Sequence, residues 1–265
     1  TSALGDGDAS KLIAPDIAAV DKIYYPNNHI DLEDLLLDNN NQKPIRIIGA
    51  QTGLTGACVP QRLADETELV INLSNLLGLP DLQGYTKKKT IIDKRNVEYA
   101  IKNDDEAIFV FPAGATLTER ASILNDHGRM FPIHPTSQAA TVGGTVTMNA
   151  TGLEGAFGST RDWTEVLGMF LTDARFAHLE RPKRDMTANP QTTSLTLANN
   201  SELTLDIPTY TWNNNLKNAS GIFTGKGHYP FDLFMGHDGA LAINAYAGFR
   251  TLPKREGKGT PDIWA

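Results

Sequence analysis

Residues 135–152 run Pro135-Thr136-Ser137-Gln138-Ala139-Ala140-Thr141-Val142-Gly143-Gly144-Thr145-Val146-Thr147-Met148-Asn149-Ala150-Thr151-Gly152. Small residues fill nearly the whole stretch. A bulky core is not built this way, because Ala, Gly, Ser and Thr bury little apolar area each. Two readings remain open from composition. One is a surface on which a flat or extended ligand touches the backbone. The other is a short helix crossing a neighbour closely at Gly143 and Gly144.

A second small-residue segment lies upstream, Gly49-Ala50-Gln51-Thr52-Gly53-Leu54-Thr55-Gly56-Ala57. It directly follows a β-branched run at Ile45, Ile47 and Ile48, which predicts a strand opened by Pro44. Glycines permit positive φ, and successive inward-turned N–H groups form a nest suited to a phosphate. The spacing rules out two familiar nucleotide loops. The glycines at 49, 53 and 56 miss G-x-G-x-x-G, and Gly56 precedes Ala57-Cys58 where a P-loop requires Lys-Ser/Thr.

Around these segments the pattern predicts an α+β chain. A helix is expected from an Asp31 cap through Leu32–Leu37, ended by the asparagine run at 39–41. Strands are expected at Glu68–Leu73 and Ala107–Phe111. Thr116 and Glu119 have capping-box spacing and predict a helix that Gly128 terminates. Val166–Leu171 reads as a buried strand. Leu195, Leu197, Leu203 and Leu205 alternate about Asn199-Asn200 as a hairpin. Phe176–Gln191 reads as loop, and a last strand is expected over Leu241–Leu252.

The 265 residues carry 24 basic and 31 acidic side chains, a net charge of −7. Such a chain has no general attraction to phosphate backbones, and nucleic acid is not an expected partner. The Lys87-Lys88-Lys89 run is expected on a solvated loop or edge. Cys58, the single cysteine, has no internal disulfide partner, which fits a reducing compartment. It is expected as a small buried side chain. The six histidines show no metal-ligand spacing, and zinc is not expected. No apolar stretch reaches the length of a membrane span, and a soluble, cytoplasmic protein is the expectation.

Five segments in order carry a resemblance: GAQTGLTGA from Gly49, PTSQAATVGGTVTMNATG from Pro135, FGSTRDW from Phe157, KNASGI from Lys217 and GHDGALAI from Gly236. They are similar to the FAD-binding domain of the vanillyl-alcohol-oxidase superfamily, in its glycolate oxidase and D-lactate dehydrogenase branch, from about Pro26 to Pro253. The resemblance implies a two-lobed α+β FAD-binding domain over residues 1–253. Its small α/β lobe would span about 26–115 and a larger, mostly antiparallel lobe flanked by helices about 116–253, with 254–265 as a tail. It implies that Gly49, Ala50, Gln51, Thr52, Gly53, Leu54 and Thr55 wrap the FAD pyrophosphate. Ser137, Thr141, Gly143 and Gly144 would follow the ribityl and isoalloxazine part, with Asn149, Ala150 and Gly152 beside the diphosphate and ring edge and Ile243 at the adenine end, and Pro135 and Thr136 would also bind the cofactor.

The sequence departs from the family pattern at Ala57, at His237-Asp238 in place of Ser-Glu, at Ala240 and at Ala242. No histidine lies in 49–56, so non-covalent FAD is expected. Arg161-Asp162 is expected to be a structural ion pair, and the tryptophans to pack. The implied activity is that of an FAD-dependent oxidoreductase taking a hydride from a small 2-hydroxy acid such as D-lactate or glycolate. In the family the substrate pocket comes mostly from a further domain, expected here to be absent or replaced by a partner subunit. No catalytic residue is assigned. The alternative is an FAD-binding subunit without a substrate site of its own.

Overall fold

In the computed structural model the described residues are 22–40, 42–53, 56–59, 68–152, 155–181, 192–206 and 230–254. Near the N-terminus a three-stranded parallel sheet is built from β1 (Ile23–Tyr24), β2 (Ile45–Ile48) and β3 (Leu69–Asn72), with β3 in the centre. Helix α1 (His29–Asn39) connects β1 to β2. It buries Leu32 and Leu36 completely, against Ile71 and Leu73. Its cap is Asn28 and not the expected Asp31. The Asn28 side chain accepts from Ile30 N at 2.9 Å and Asp31 N at 3.0 Å. Asp31 sits one turn further on, where its carboxylate accepts from Asn27 N at 2.9 Å and Asn28 Nδ2 at 3.0 Å. Asn40, left-handed at φ 43°, closes the helix, as asparagine can at low steric cost.

The larger sheet has six antiparallel strands in the order β4-β5-β6-β12-β8-β9. They are β4 (Tyr85–Ile92), β5 (Arg95–Lys102), β6 (Ile108–Pro112), β8 (Thr164–Phe170), β9 (Phe176–Glu180) and β12 (Ile243–Arg250). Strands β4, β5 and β6 thus belong to the same sheet as residues 164–180 and 243–250. The triple-lysine run lies on an edge, as expected, inside β4, which is joined to β5 by a turn with positive φ at both Asp93 and Lys94, the geometry that matches strand twist. One element differs from expectation. The expected loop at Phe176–Gln191 begins as strand β9, paired with β8 from Phe170↔Phe176 to Val166↔Glu180. Residues 182–191 lie outside the description.

Strand β6 shows why the sheet sits centrally. All five of its residues are buried. Phe109 and Phe111 point into one core, with Ile123 and Leu124 of α2 (Leu117–Asp126) and Val142 and Val146 of α3 (Val142–Thr147). Ile108 and Val110 point into the other core, with Leu32, Leu36 and Ile71 of the small parallel layer. The period-2 alternation of a strand feeds both layers. The next two strands of the sheet, β12 and β8, are trimmed to fit. A Cβ at Gly168 would collide with the Tyr246 ring, and one at Gly248 would lie 2.8 Å from Val166 and 2.9 Å from Val110.

Helix α2 has the expected capping box, with Glu119 N donating to Thr116 Oγ1 at 3.2 Å and Thr116 N to Glu119 Oε2 at 2.7 Å. Gly128 follows it at φ 64°. The expected hairpin forms as β10 (Thr192–Thr196) and β11 (Glu202–Asp206), in register Leu195↔Leu203 and turning through Asn200 at φ 61°. A buried ion pair of Arg181 with Asp232, at 2.9 Å, fixes the short helix Pro230–Leu233 below the sheet.

Candidate functional site

A cleft of about 680 Å³ opens where the parallel strands end. Strand β2 stops at Ile48, and residues 49–53 run straight into the cleft wall. The carboxyl ends of parallel strands favour ligands because the chain leaves the sheet there and exposes backbone N–H groups. Gln51 takes φ 57° and Gly56 φ 77°, which turns the peptide planes away from an extended run. Arg46 secures the base of this loop. Its guanidinium forks onto Glu68 at 2.6 and 3.0 Å and donates to the carbonyl of Ala57 at 3.0 Å.

The opposite wall is the 135–152 segment. Its two adjacent glycines sit differently. Gly143 is the close crossing, because its N–H donates to Ala113 O at 2.9 Å and a Cβ would lie 2.8 Å from the Ala113 Cβ. Gly144 faces the cleft and donates to Thr141 Oγ1 at 3.3 Å. Thr141 in turn fills the place where Gly49 would carry a side chain, with its Oγ1 2.5 Å from that position. The two glycine segments, 92 positions apart in the sequence, thereby touch.

Of the expected cofactor residues, Gly49, Ala50, Gln51, Thr52, Gly53, Pro135, Thr136, Ser137, Thr141, Gly143, Gly144, Ala150 and Ile243 line this one cleft. Leu54 and Thr55 lie outside the described residues, as does the KNASGI segment. Asn149 does not line it. That side chain is fully buried and accepts from Arg161 N at 2.9 Å, tying the end of α3 to the short helix Thr160–Trp163. Gly152 also stands outside the wall. Asp162 caps that same helix, accepting from Ser159 N at 2.8 Å, while Arg161 donates to Met235 O at 3.1 Å. Cys58, expected to be buried, is half-exposed in the wall.

Thr147, Asp238 and Asn244 also line the cleft and were assigned no role from the sequence. Thr147 and Asp238 lie inside two of the quoted segments, and Asn244 directly follows the last of them. The loop at 236–239 reaches the wall only because Gly236 N and Asp238 N donate to the α3 carbonyls of Val146 and Thr147, at 3.2 and 3.1 Å. Behind this loop His237 is buried, and burial pushes its pKa down to about 4.

Asp238 is the only charged side chain among the described lining residues; no Lys or Arg is one of them. A ligand with anionic groups is therefore met by backbone N–H groups and hydroxyls. The residues present fit a flavin dinucleotide on structural grounds. The cleft has room for one, a Cβ at Gly53 would meet nothing within 4 Å, and the wall carries an amide, Asn244, with an unmatched polar atom.

The model of the FAD binding domain family matches residues 20–180. The chain belongs to this FAD-binding family. The matched region of the FAD-binding chain includes both glycine segments. The FAD-binding chain is also 29% identical over 170 residues to the D-lactate dehydrogenase of Archaeoglobus fulgidus, a match spanning 63% of this chain and 33% of that protein. It is similar in fold to two solved structures of alkyldihydroxyacetonephosphate synthase, with TM-scores of 0.55 and 0.54, 15% identity, and coverage of 89% of this chain and 32% of those. The chain thus spans about a third of the length of these relatives. Among the described residues no helix is long and apolar enough to cross a membrane.

Proposed function

We propose that this chain is the FAD-holding part of an oxidoreductase that oxidises a small 2-hydroxy acid such as D-lactate or glycolate. The observation that carries the reading is the meeting of the two glycine segments in one backbone-lined cleft within an FAD-binding family member. The similarity to a D-lactate dehydrogenase supports the substrate class. The one-third span supports a substrate pocket completed by residues outside this sequence or by a partner subunit.

Bound FAD supplies a hydride acceptor. Residues 49–55 would hold the pyrophosphate through backbone N–H groups, Ser137, Thr141 and Gly144 would lie along the ribityl and isoalloxazine part, and Ile243 would lie at the adenine end. Ala113 and Gly143 pack closely together in the cleft wall. Non-covalent attachment follows from a first loop without histidine.

The test is spectroscopic. Purified chain offered FAD and then desalted is expected to retain the visible absorbance of an oxidised flavin; a colourless product would defeat the reading. Anaerobic addition of D-lactate or glycolate is expected to bleach the longer protein that contains this chain, and an unbleached flavin there would remove the substrate class.

A further inference from the structure

Resting on the FAD reading above, we infer that Asn244 is a cofactor-binding residue that offers its amide N–H to an acceptor atom of the flavin nucleotide. Asn244 is the second residue of β12, lines the cleft and is 2% exposed. One end of its amide lies 3.0 Å from Thr147 Oγ1 and 3.5 Å from His237 Nε2. The other end is equally buried and meets no partner among the described residues. A buried polar atom left unmatched is costly, and such an atom in a cleft wall calls for a ligand.

The neighbours decide which end is which. Leu241 N donates to His237 Nδ1 at 3.3 Å, so that nitrogen bears no proton and the ring's hydrogen sits on Nε2. Nε2–H therefore points at Asn244. An amide NH₂ there would set donor against donor. With Oδ1 there, the amide accepts from both Nε2–H and the Thr147 hydroxyl. This orientation leaves the NH₂ group as the unmatched end. The flavin nucleotide is rich in acceptors, in its phosphates, ring carbonyls and ring nitrogens, and a neutral donor suits a wall that has no Lys or Arg among its described residues.

FAD affinity of the apoprotein, read by quenching of flavin fluorescence, tests this together with apoprotein melting. Asn244→Leu keeps the size and deletes the amide. It is expected to weaken FAD about tenfold; the apoprotein is expected to melt somewhat lower than wild type as well, since His237 Nε2–H and the Thr147 hydroxyl lose their acceptor, so affinity and not melting is the deciding readout. Asn244→Asp places an acceptor where the donor stood and is expected to weaken FAD more than Asn244→Leu does. Wild-type affinity in Asn244→Leu would overturn the inference, and so would wild-type affinity in Asn244→Asp, which carries the test alone if the leucine variant does not fold. A purely structural amide would lower apoprotein melting and leave affinity intact. Failure of the wild-type chain to bind FAD would defeat the underlying reading as well, which sets that result apart from a failure confined to Asn244.

Discussion

At His237 burial and charge conflict. At 4% exposure water cannot stabilise its imidazolium, and desolvation takes its pKa from 6.5 to about 4. The unfolded chain therefore binds a proton that the folded chain refuses. Stability contributed by the neutral ring is complete above about pH 6.5 and is lost as pH falls toward 4. The span is worth about 3 kcal/mol at most. His237→Gln, which keeps a polar group and cannot ionise, is expected to flatten the pH dependence of urea midpoints between pH 6.5 and 4; an unchanged slope would place that dependence elsewhere. The same residue departs from the family's serine and was legible in the sequence only as a substitution. Its neighbour Asn244, 3.5 Å from Nε2, was not, because it comes from β12.

At the scale of the element, the helix Val142–Thr147 shows two adjacent glycines serving different ends. Gly143 is packed on Ala113, so Gly143→Ala is expected to destabilise the fold by about 1–3 kcal/mol through overpacking, measured by denaturant midpoint. Gly53, across the cleft, has open space around its missing Cβ and no positive φ. Gly53→Val is expected to leave the melting temperature near wild type and to reduce FAD retention at least tenfold. A matching loss of stability in both variants would mean that Gly53 is structural too. Local signals located most elements well. The capping box, the Asn200 turn and the β-branched run at 45–48 act through neighbours within four residues. The Asn28 cap was misplaced onto Asp31 because either side chain satisfies the same rule. The β4–β5 hairpin was missed because lysines mask the alternation of an edge strand, whose charges are a defence against pairing with other chains.

For the whole molecule, the six-stranded sheet curls far enough that opposite edges meet. Tyr85 on β4 donates to Glu180 Oε1 at 2.7 Å, and Lys102 on β5 pairs with Glu180 Oε2 at 2.7 Å. Burial raises the Glu180 pKa, but the hydrogen bonds from Lys102 and Tyr85 outweigh it and hold the carboxyl below its usual value. Its contribution is full above the ordinary carboxylate pKa of 4.5 and disappears as pH falls through the lowered value. Glu180→Gln is expected to reduce acid sensitivity below about pH 4.5 and to increase hydrogen exchange in β9. Unaltered exchange in β9 would show that the edges are held together by packing alone.

By itself the sequence determined the α+β class, the two glycine segments and the small-residue character of their surroundings. Those properties depend on side-chain volume, backbone freedom and contacts along the chain. Only the tertiary structure decided that Gly49 and Thr141 share a space, that Asn149 belongs to the scaffold, and that Thr147, Asp238 and Asn244 belong to the cleft. It also decided the sheet membership of residues 85–112. These outcomes follow from contacts between separate elements, many of them distant in the sequence, where hydrogen-bond register and steric fit choose the neighbour. The acidic balance of the chain finds its place here as well. A cleft whose described wall carries one carboxylate and no basic side chain meets an anionic ligand with backbone N–H groups, which every residue except proline provides.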